Sequence, residues 1–161
     1  MALKLEDPDL SGDLDAIKAL FRSYADWLET DHSVGPETHG IDREIENLPR
    51  PYAPPDGALI GARVKGLAGY AGCIALRRFD ATTAEVKRLY VLPEARGRQI
   101  GETLVAGLLD KARALGYAKV ILDVGDYQGP ARALYAKSGF AEMPTSDHIS
   151  YPGVIFMACT F

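Results

Sequence analysis

The residues of this chain best suited to hold a ligand are Arg96, Gly97, Arg98, Gln99, Ile100, Gly101 and Glu102. They lie between a short β-branched and aromatic run, Glu85 to Val91, and a stripe at helical spacing formed by Ile100, Leu104, Val105, Leu108, Leu109, Ala112 and Leu115. The stretch therefore reads as strand, tight turn and helix start. Such a start leaves about four backbone N–H groups without intrahelical acceptors and carries roughly half a positive charge. Arg96 and Arg98 add full charges, and Gly97 and Gly101 let a ligand come close to the main chain. The chemistry this suits is the binding of phosphate oxygens. An ordinary turn with solvated arginines is the plainer alternative.

The elements around the turn must position it. Leu3 to Glu6 reads as a first strand. Ser11 is a candidate cap for a helix carrying Leu14, Ile17, Leu20, Phe21, Tyr24 and Leu28 on one face, and Ile41 to Leu48 reads as a second, shorter helix. Pro49 to Gly57 is a proline-rich loop. Ala58 to Val64 and Leu67 to Arg77 read as a hairpin closed by Lys65-Gly66, and Asp80 to Thr83 turns the chain into the strand at Glu85. Lys119 to Val124 is mostly apolar, as a strand buried on both faces would be. Its link to the Glu85 strand runs through a helix ending near Gly116, so the two strands should be parallel. Pro130 and Gly139 bracket a last helix, Phe140 opens a strand, and Val154 to Thr160 is the final one. Pro144 to Gly153 reads as an exposed loop. This is a single α+β domain spanning residues 1–161, with a mixed sheet flanked by helices.

Composition narrows the function. At 161 residues the chain can bury a real core as one domain. A net charge of −4 argues against a general nucleic-acid binder. Cys73 and Cys159 sit in apolar runs and read as small buried hydrophobes rather than a disulfide or metal framework. No basic stretch followed by an apolar one opens the chain, and no apolar run approaches the roughly 18 residues of a membrane span. The expected setting is reducing and cytoplasmic, with no membrane partner. A dinucleotide- or ATP-binding enzyme would need Gly-x-Gly-x-x-Gly or a Walker-type turn near the first strand, and neither pattern occurs.

Two separated motifs resemble the GNAT superfamily of N-acetyltransferases. Arg96-Gly97-Arg98-Gln99-Ile100-Gly101 is similar to that family's acetyl-CoA signature, except that Gln99 stands where the first signature glycine is usual. Ala131-Arg132-Ala133-Leu134-Tyr135-Ala136-Lys137-Ser138-Gly139-Phe140 resembles its later Ala, Leu-Tyr and Gly-Phe segment. The order of elements matches from Leu3 to Phe161. The Asn often found before the second helix is replaced here by Gln128 or Gly129. The resemblance implies a central, mixed, mostly antiparallel sheet of six or seven strands with about four helices.

It also implies acetyl transfer from acetyl-CoA, as donor substrate, to a primary amine by direct attack in a ternary complex. No metal is implied. The amides from Gly97 to Glu102 would hold the diphosphate. The strand at Leu89, Tyr90 and Val91 would splay from its parallel neighbour, pair with the pantetheine and polarise the thioester carbonyl. Ala131 and Gln128 would border the cofactor. Glu85 matches the general base of the histone-acetylating branch; the alternative is an ion pair with Lys87 or Arg88. Tyr135 matches the acid that protonates the leaving thiolate; the alternative is a packed helix tyrosine.

Other residues are weaker candidates. His32 and His39, with Asp31 and Glu37, could face an amine or simply form a polar loop, and His148 beside Asp147 is similar. Neither group has metal-ligand spacing. Trp27 falls off the main stripe and suits a groove, a dimer contact or plain packing. The acceptor, a small-molecule or protein amine, is not encoded in any motif, and a homodimer would be usual for the family. A non-catalytic acyl-CoA-binding regulator with the same fold is the competing reading, and Gln99 is its motive.

Overall fold

The structure, a computed structural model, describes residues 3–9, 11–32, 40–144 and 152–161. In chain order the elements are β1 (Leu3–Glu6), α1 (Leu14–His32), α2 (Ile41–Asn47), β2 (Ala58–Val64), β3 (Gly72–Arg78) and β4 (Thr83–Val91). A short 3-10 turn, Pro93–Ala95, then leads to α3 (Ile100–Ala114), β5 (Lys119–Gly125), α4 (Gly129–Lys137), β6 (Ala141–Glu142) and β7 (Val154–Thr160). The strands form one seven-stranded sheet in the order β1-β2-β3-β4-β5-β7-β6. Every neighbouring pair is antiparallel except β4 and β5, which the α3 crossover makes parallel. Among the described residues this is the mixed, mostly antiparallel sheet with about four helices that the family resemblance implies.

Side-chain alternation along the strands feeds two cores. Ile74 and Leu76 of β3 turn toward α3, meeting Leu104, Leu108 and Ala112, all fully buried. Cys73 and Ala75 turn to the other face and meet Ile17, Phe21 and Leu28 of α1 and Ile41 of α2. Each large buried aliphatic contributes about 1.5–3 kcal/mol relative to exposure. The sheet is thus clamped between α3 with α4 on one face and α1 with α2 on the other.

Three local expectations change. The Lys65-Gly66 hairpin is longer than two residues, because β3 begins at Gly72. The ring of Tyr70 packs on Gly61, where a Cβ would lie 2.4 Å from it, and its hydroxyl donates to Glu6 at 2.9 Å. Burying that ring requires the wider connection. Ser11 does not cap α1, since its amide and hydroxyl both donate to the Asp9 carboxylate and the helix begins at Leu14. Phe140 is buried just before β6, which is only Ala141–Glu142. Gly116, at φ 91°, closes α3 as expected. Both cysteines are free and buried, and burial raises the Cys73 thiol to about 12.

Candidate active site

The turn before α3 carries two left-handed residues. Gly97 is left-handed at φ 81°, and Gln99, the residue capping α3, is also left-handed at φ 60° and ψ 22°. No side chain caps the helix. The Gln99 carbonyl accepts from the Thr103 amide at 3.1 Å and hydroxyl at 2.9 Å, whereas the first-turn amides of α3 keep no capping acceptor. Glu102 in that turn is paired with Lys137 of α4 at 3.0 Å, so its charge is compensated at the mouth of the helix. Arg96 donates to the Val91 carbonyl at 3.0 Å and lies over the rings of Trp27 and Tyr90. Arg98 lines a separate groove beside Lys65 and Glu94. Its side chain is therefore not in the cleft that the rest of the motif faces.

The sheet opens next to this turn. β4 and β5 pair at Thr83↔Lys119, Ala84↔Val120 and Glu85↔Ile121, and not beyond. Their outer edges stay paired to the end, β4 with β3 as far as Val91↔Gly72 and β5 with β7 as far as Gly125↔Val154. Only the inner ladder parts. The cause lies on β4, where the register with β3 slips by one between Cys73 and Ala75 and Arg88 adopts φ 59°. Gly72 permits the close packing at the far end, since a Cβ there would meet the Tyr90 carbonyl oxygen at 2.8 Å.

Two clefts occupy the opening. The larger, about 560 Å³, runs from the turn residues Arg96, Gly97, Gln99 and Gly101 past Leu89–Val91 to Leu134 of α4. The smaller, about 300 Å³, lies between Val86–Leu89 of β4 and Asp123–Gly125 of β5, with Tyr24 and Tyr135 in its wall. Leu89, Gln128 and Ala131 line both, so the clefts meet at these three residues. Leu89, Tyr90, Val91, Gln99, Ile100, Gly101, Glu102, Gln128 and Ala131 all line the larger cleft.

Tyr135 sits one helical turn beyond Ala131, edge-on to Phe140 at 5.6 Å between ring centroids. It is buried, and its hydroxyl has no hydrogen-bond partner among the described residues. Burial first, then Tyr24 and Asp123, raises its pKa above that of a free tyrosine, so it keeps its proton. Gln128 does not cap α4 with its side chain. Its side-chain oxygen accepts from the Gly125 amide at 3.0 Å, closing the turn at the tip of β5.

Glu85 lies elsewhere. It sits at the closed end of the fork, is 8% exposed, and lines neither cleft. Its Oε1 accepts from Arg77 Nε and NH2, both at 2.7 Å, and Lys87 Nζ stands 3.5 Å from Oε2. Lys87 continues to Asp123 at 3.1 Å, joining the two arms just past their last paired residues. Asp123 does line the smaller cleft. Neither this bridge nor Tyr24, read as part of an apolar stripe, stood out in the sequence, because both depend on cross-strand register. Trp27 packs against Tyr24 and Tyr90 and lines the larger cleft. His39, His148, Glu37 and Asp147, with the side chains of Asp31 and His32, lie outside the described residues. Among the described residues no group of three His, Cys, Asp or Glu could hold a metal ion, and no helix is long and apolar enough to cross a membrane.

Comparison with known proteins bears on this geometry. Residues 18–140 match the pattern of the acetyltransferase (GNAT) family. The chain is 35% identical over 150 residues to an uncharacterised N-acetyltransferase of Schizosaccharomyces pombe, covering 92% of this chain and 88% of that protein. It is 42% identical over 90 residues to an IAA acetyltransferase of Azospirillum brasilense, covering 56% and 58% respectively. Among solved structures, a GNAT acetyltransferase of Staphylococcus aureus superposes with a TM-score of 0.81 at 17% identity over 99% of both chains. The PaiA N-acetyltransferase of Thermoplasma acidophilum, solved with coenzyme A, gives 0.77 at 20% identity over the whole of both.

Proposed function

Because the chain belongs to the acetyltransferase (GNAT) family and is an acyltransferase, we propose that it moves an acetyl group from acetyl-CoA to a primary amine within one ternary complex. The observation that carries this reading is the meeting of the two clefts at Leu89, Gln128 and Ala131, where β4 has left β5. A donor along the larger cleft and an amine in the smaller would bring their reacting atoms together there.

The diphosphate rests against the amides of Gly97 to Glu102. The pantetheine lies beside the freed edge at Leu89 to Val91, as an added strand would. A main-chain N–H on that edge polarises the thioester carbonyl and holds the oxyanion. The acceptor enters as ammonium, since the reference pKa of a primary amine is near 10. It must lose a proton before its nitrogen can attack the carbonyl carbon. We assign that proton to water against Asp123, the carboxylate that lines the smaller cleft, and give Glu85 the holding of Arg77 and Lys87. When the C–S bond breaks, the thiolate takes the Tyr135 proton. Burial keeps that hydroxyl protonated until the thiolate forms. The tyrosinate regains a proton from the one the new amide nitrogen sheds.

The test is thermal unfolding with acetyl-CoA, CoA, NAD and ATP, followed by free-CoA release with a panel of amines. Ligand at about a thousand times its dissociation constant should stabilise by roughly 4 kcal/mol. A shift with the first two alone, and amine-dependent release of CoA, is expected. A shift without release for any amine would favour the non-catalytic acyl-CoA sensor.

A further inference from the structure

The sharpest irregularity in the sheet is Arg88. It carries a side chain yet adopts φ 59°, a conformation that L residues disfavour, at the bulge three residues beyond the last β4–β5 pair. Something outside the strand must hold it there. Its guanidinium donates to Glu44 of α2 twice, Nε to Oε2 at 2.6 Å and NH2 to Oε1 at 3.2 Å. The two side chains are 7% and 11% exposed. Glu44 is fixed in turn by the hydroxyl of the buried Tyr52, which donates at 2.6 Å. On the same face of the sheet the Cys73 thiol donates to the Arg88 carbonyl at 3.5 Å.

The bulge matters beyond its own residue. A one-residue slip reverses which main-chain and side-chain groups face each edge and each side of the sheet. Where the bulge sits therefore decides what Leu89 presents to the opening shared by the two clefts. We propose that Glu44 is a positioning residue for the acyl transfer: acting through Arg88, it locks the β4 bulge that aims the Leu89 main chain at the thioester carbonyl. This rests on the reading that acetyl-CoA lies along the opened strand. It makes α2, a helix that lines neither cleft, part of the machinery that orients the donor.

The experiment is isotope-edited infrared spectroscopy of acetyl-CoA carrying a carbon-13 carbonyl, bound to the wild-type protein, Glu44→Gln and Glu44→Asp, with dissociation constants measured in parallel. In the wild type the thioester band should fall to lower frequency than in solution. In Glu44→Gln the band should return to its solution position while affinity changes less than threefold, because the diphosphate contacts are untouched. Glu44→Asp keeps the charge but is too short for both contacts and should give an intermediate band. An unchanged low-frequency band in the variants, an unshifted band in the wild type, or a folded Glu44→Gln that loses acetyl-CoA affinity more than threefold would overturn the proposal. Should Glu44→Gln not fold, the Glu44→Asp band decides on the same terms. Failure of the wild type to bind acetyl-CoA at all would instead remove the functional reading beneath it.

Discussion

Glu85 and Ile121 are the last residues that β4 and β5 hold in register. On the closed side of that pair the sheet is continuous. On the open side each arm keeps its outer partner and the gap between them becomes the site. Two residues further on, Lys87 and Asp123 reach across the gap at 3.1 Å, so the fork is braced by charge where backbone pairing ends.

Tyr135→Phe should lower the rate of CoA release by about a hundredfold or more, the usual range for a positioned proton donor. Acetyl-CoA affinity should stay within about threefold and stability should not fall, because the hydroxyl has no hydrogen-bond partner among the described residues to lose. Steady-state kinetics beside calorimetric binding would check both halves. A variant with full turnover ends the assignment of this residue.

Glu85→Gln and Asp123→Asn should part company. Glu85 holds Arg77 and Lys87 in a largely buried contact, so its loss should cost about 1–3 kcal/mol in urea unfolding with turnover nearly intact at saturating donor. Asp123→Asn should lower turnover at least about tenfold. A large rate loss in Glu85→Gln at unchanged stability would return the base to the strand.

Gln99 holds φ 60° without a glycine. Left-handed backbone costs a side-chain-bearing residue about 1–2 kcal/mol, and glycine returns part of that gain as unfolded-chain entropy. Gln99→Gly should therefore be neutral or stabilising by about 0.5 kcal/mol by the same balance. Gln99→Val should destabilise clearly, because a branched Cβ resists the conformation. Chemical denaturation of the two variants checks the sign.

Above pH 10 stability should fall. Burial raises the pKa values of Tyr24, Tyr52 and Tyr135 above the ordinary tyrosine value. The native chain then keeps protons that the unfolded chain releases, so this stabilisation is complete below about pH 10 and is lost as pH rises. Each such tyrosine adds a slope of about 1.4 kcal/mol per pH unit. Tyr135→Phe should make the alkaline limb shallower by one tyrosine's share, measured by urea unfolding between neutral pH and about pH 11 in the range where that titration begins.

The sequence by itself determined the tight turn that opens α3, the α3 crossover that makes β4 and β5 parallel, the placing of Tyr135 one turn after Ala131, and the burial of both cysteines. These rest on local rules: helix starts, apolar periodicity and chain handedness act within about thirty residues, as in any strand-helix-strand unit. Only the tertiary structure decided where the two strands part, because an arginine gives no local sign that it will take φ 59°. The Glu44–Arg88 lock joins residues 44 positions apart, and Lys87 meets Asp123 across 36. Such pairs follow from register, which is set by the packing of whole elements. The same reason separates Glu85 from the cleft: the family resemblance gives it the place of a base, but Arg77 on the neighbouring strand closes around it.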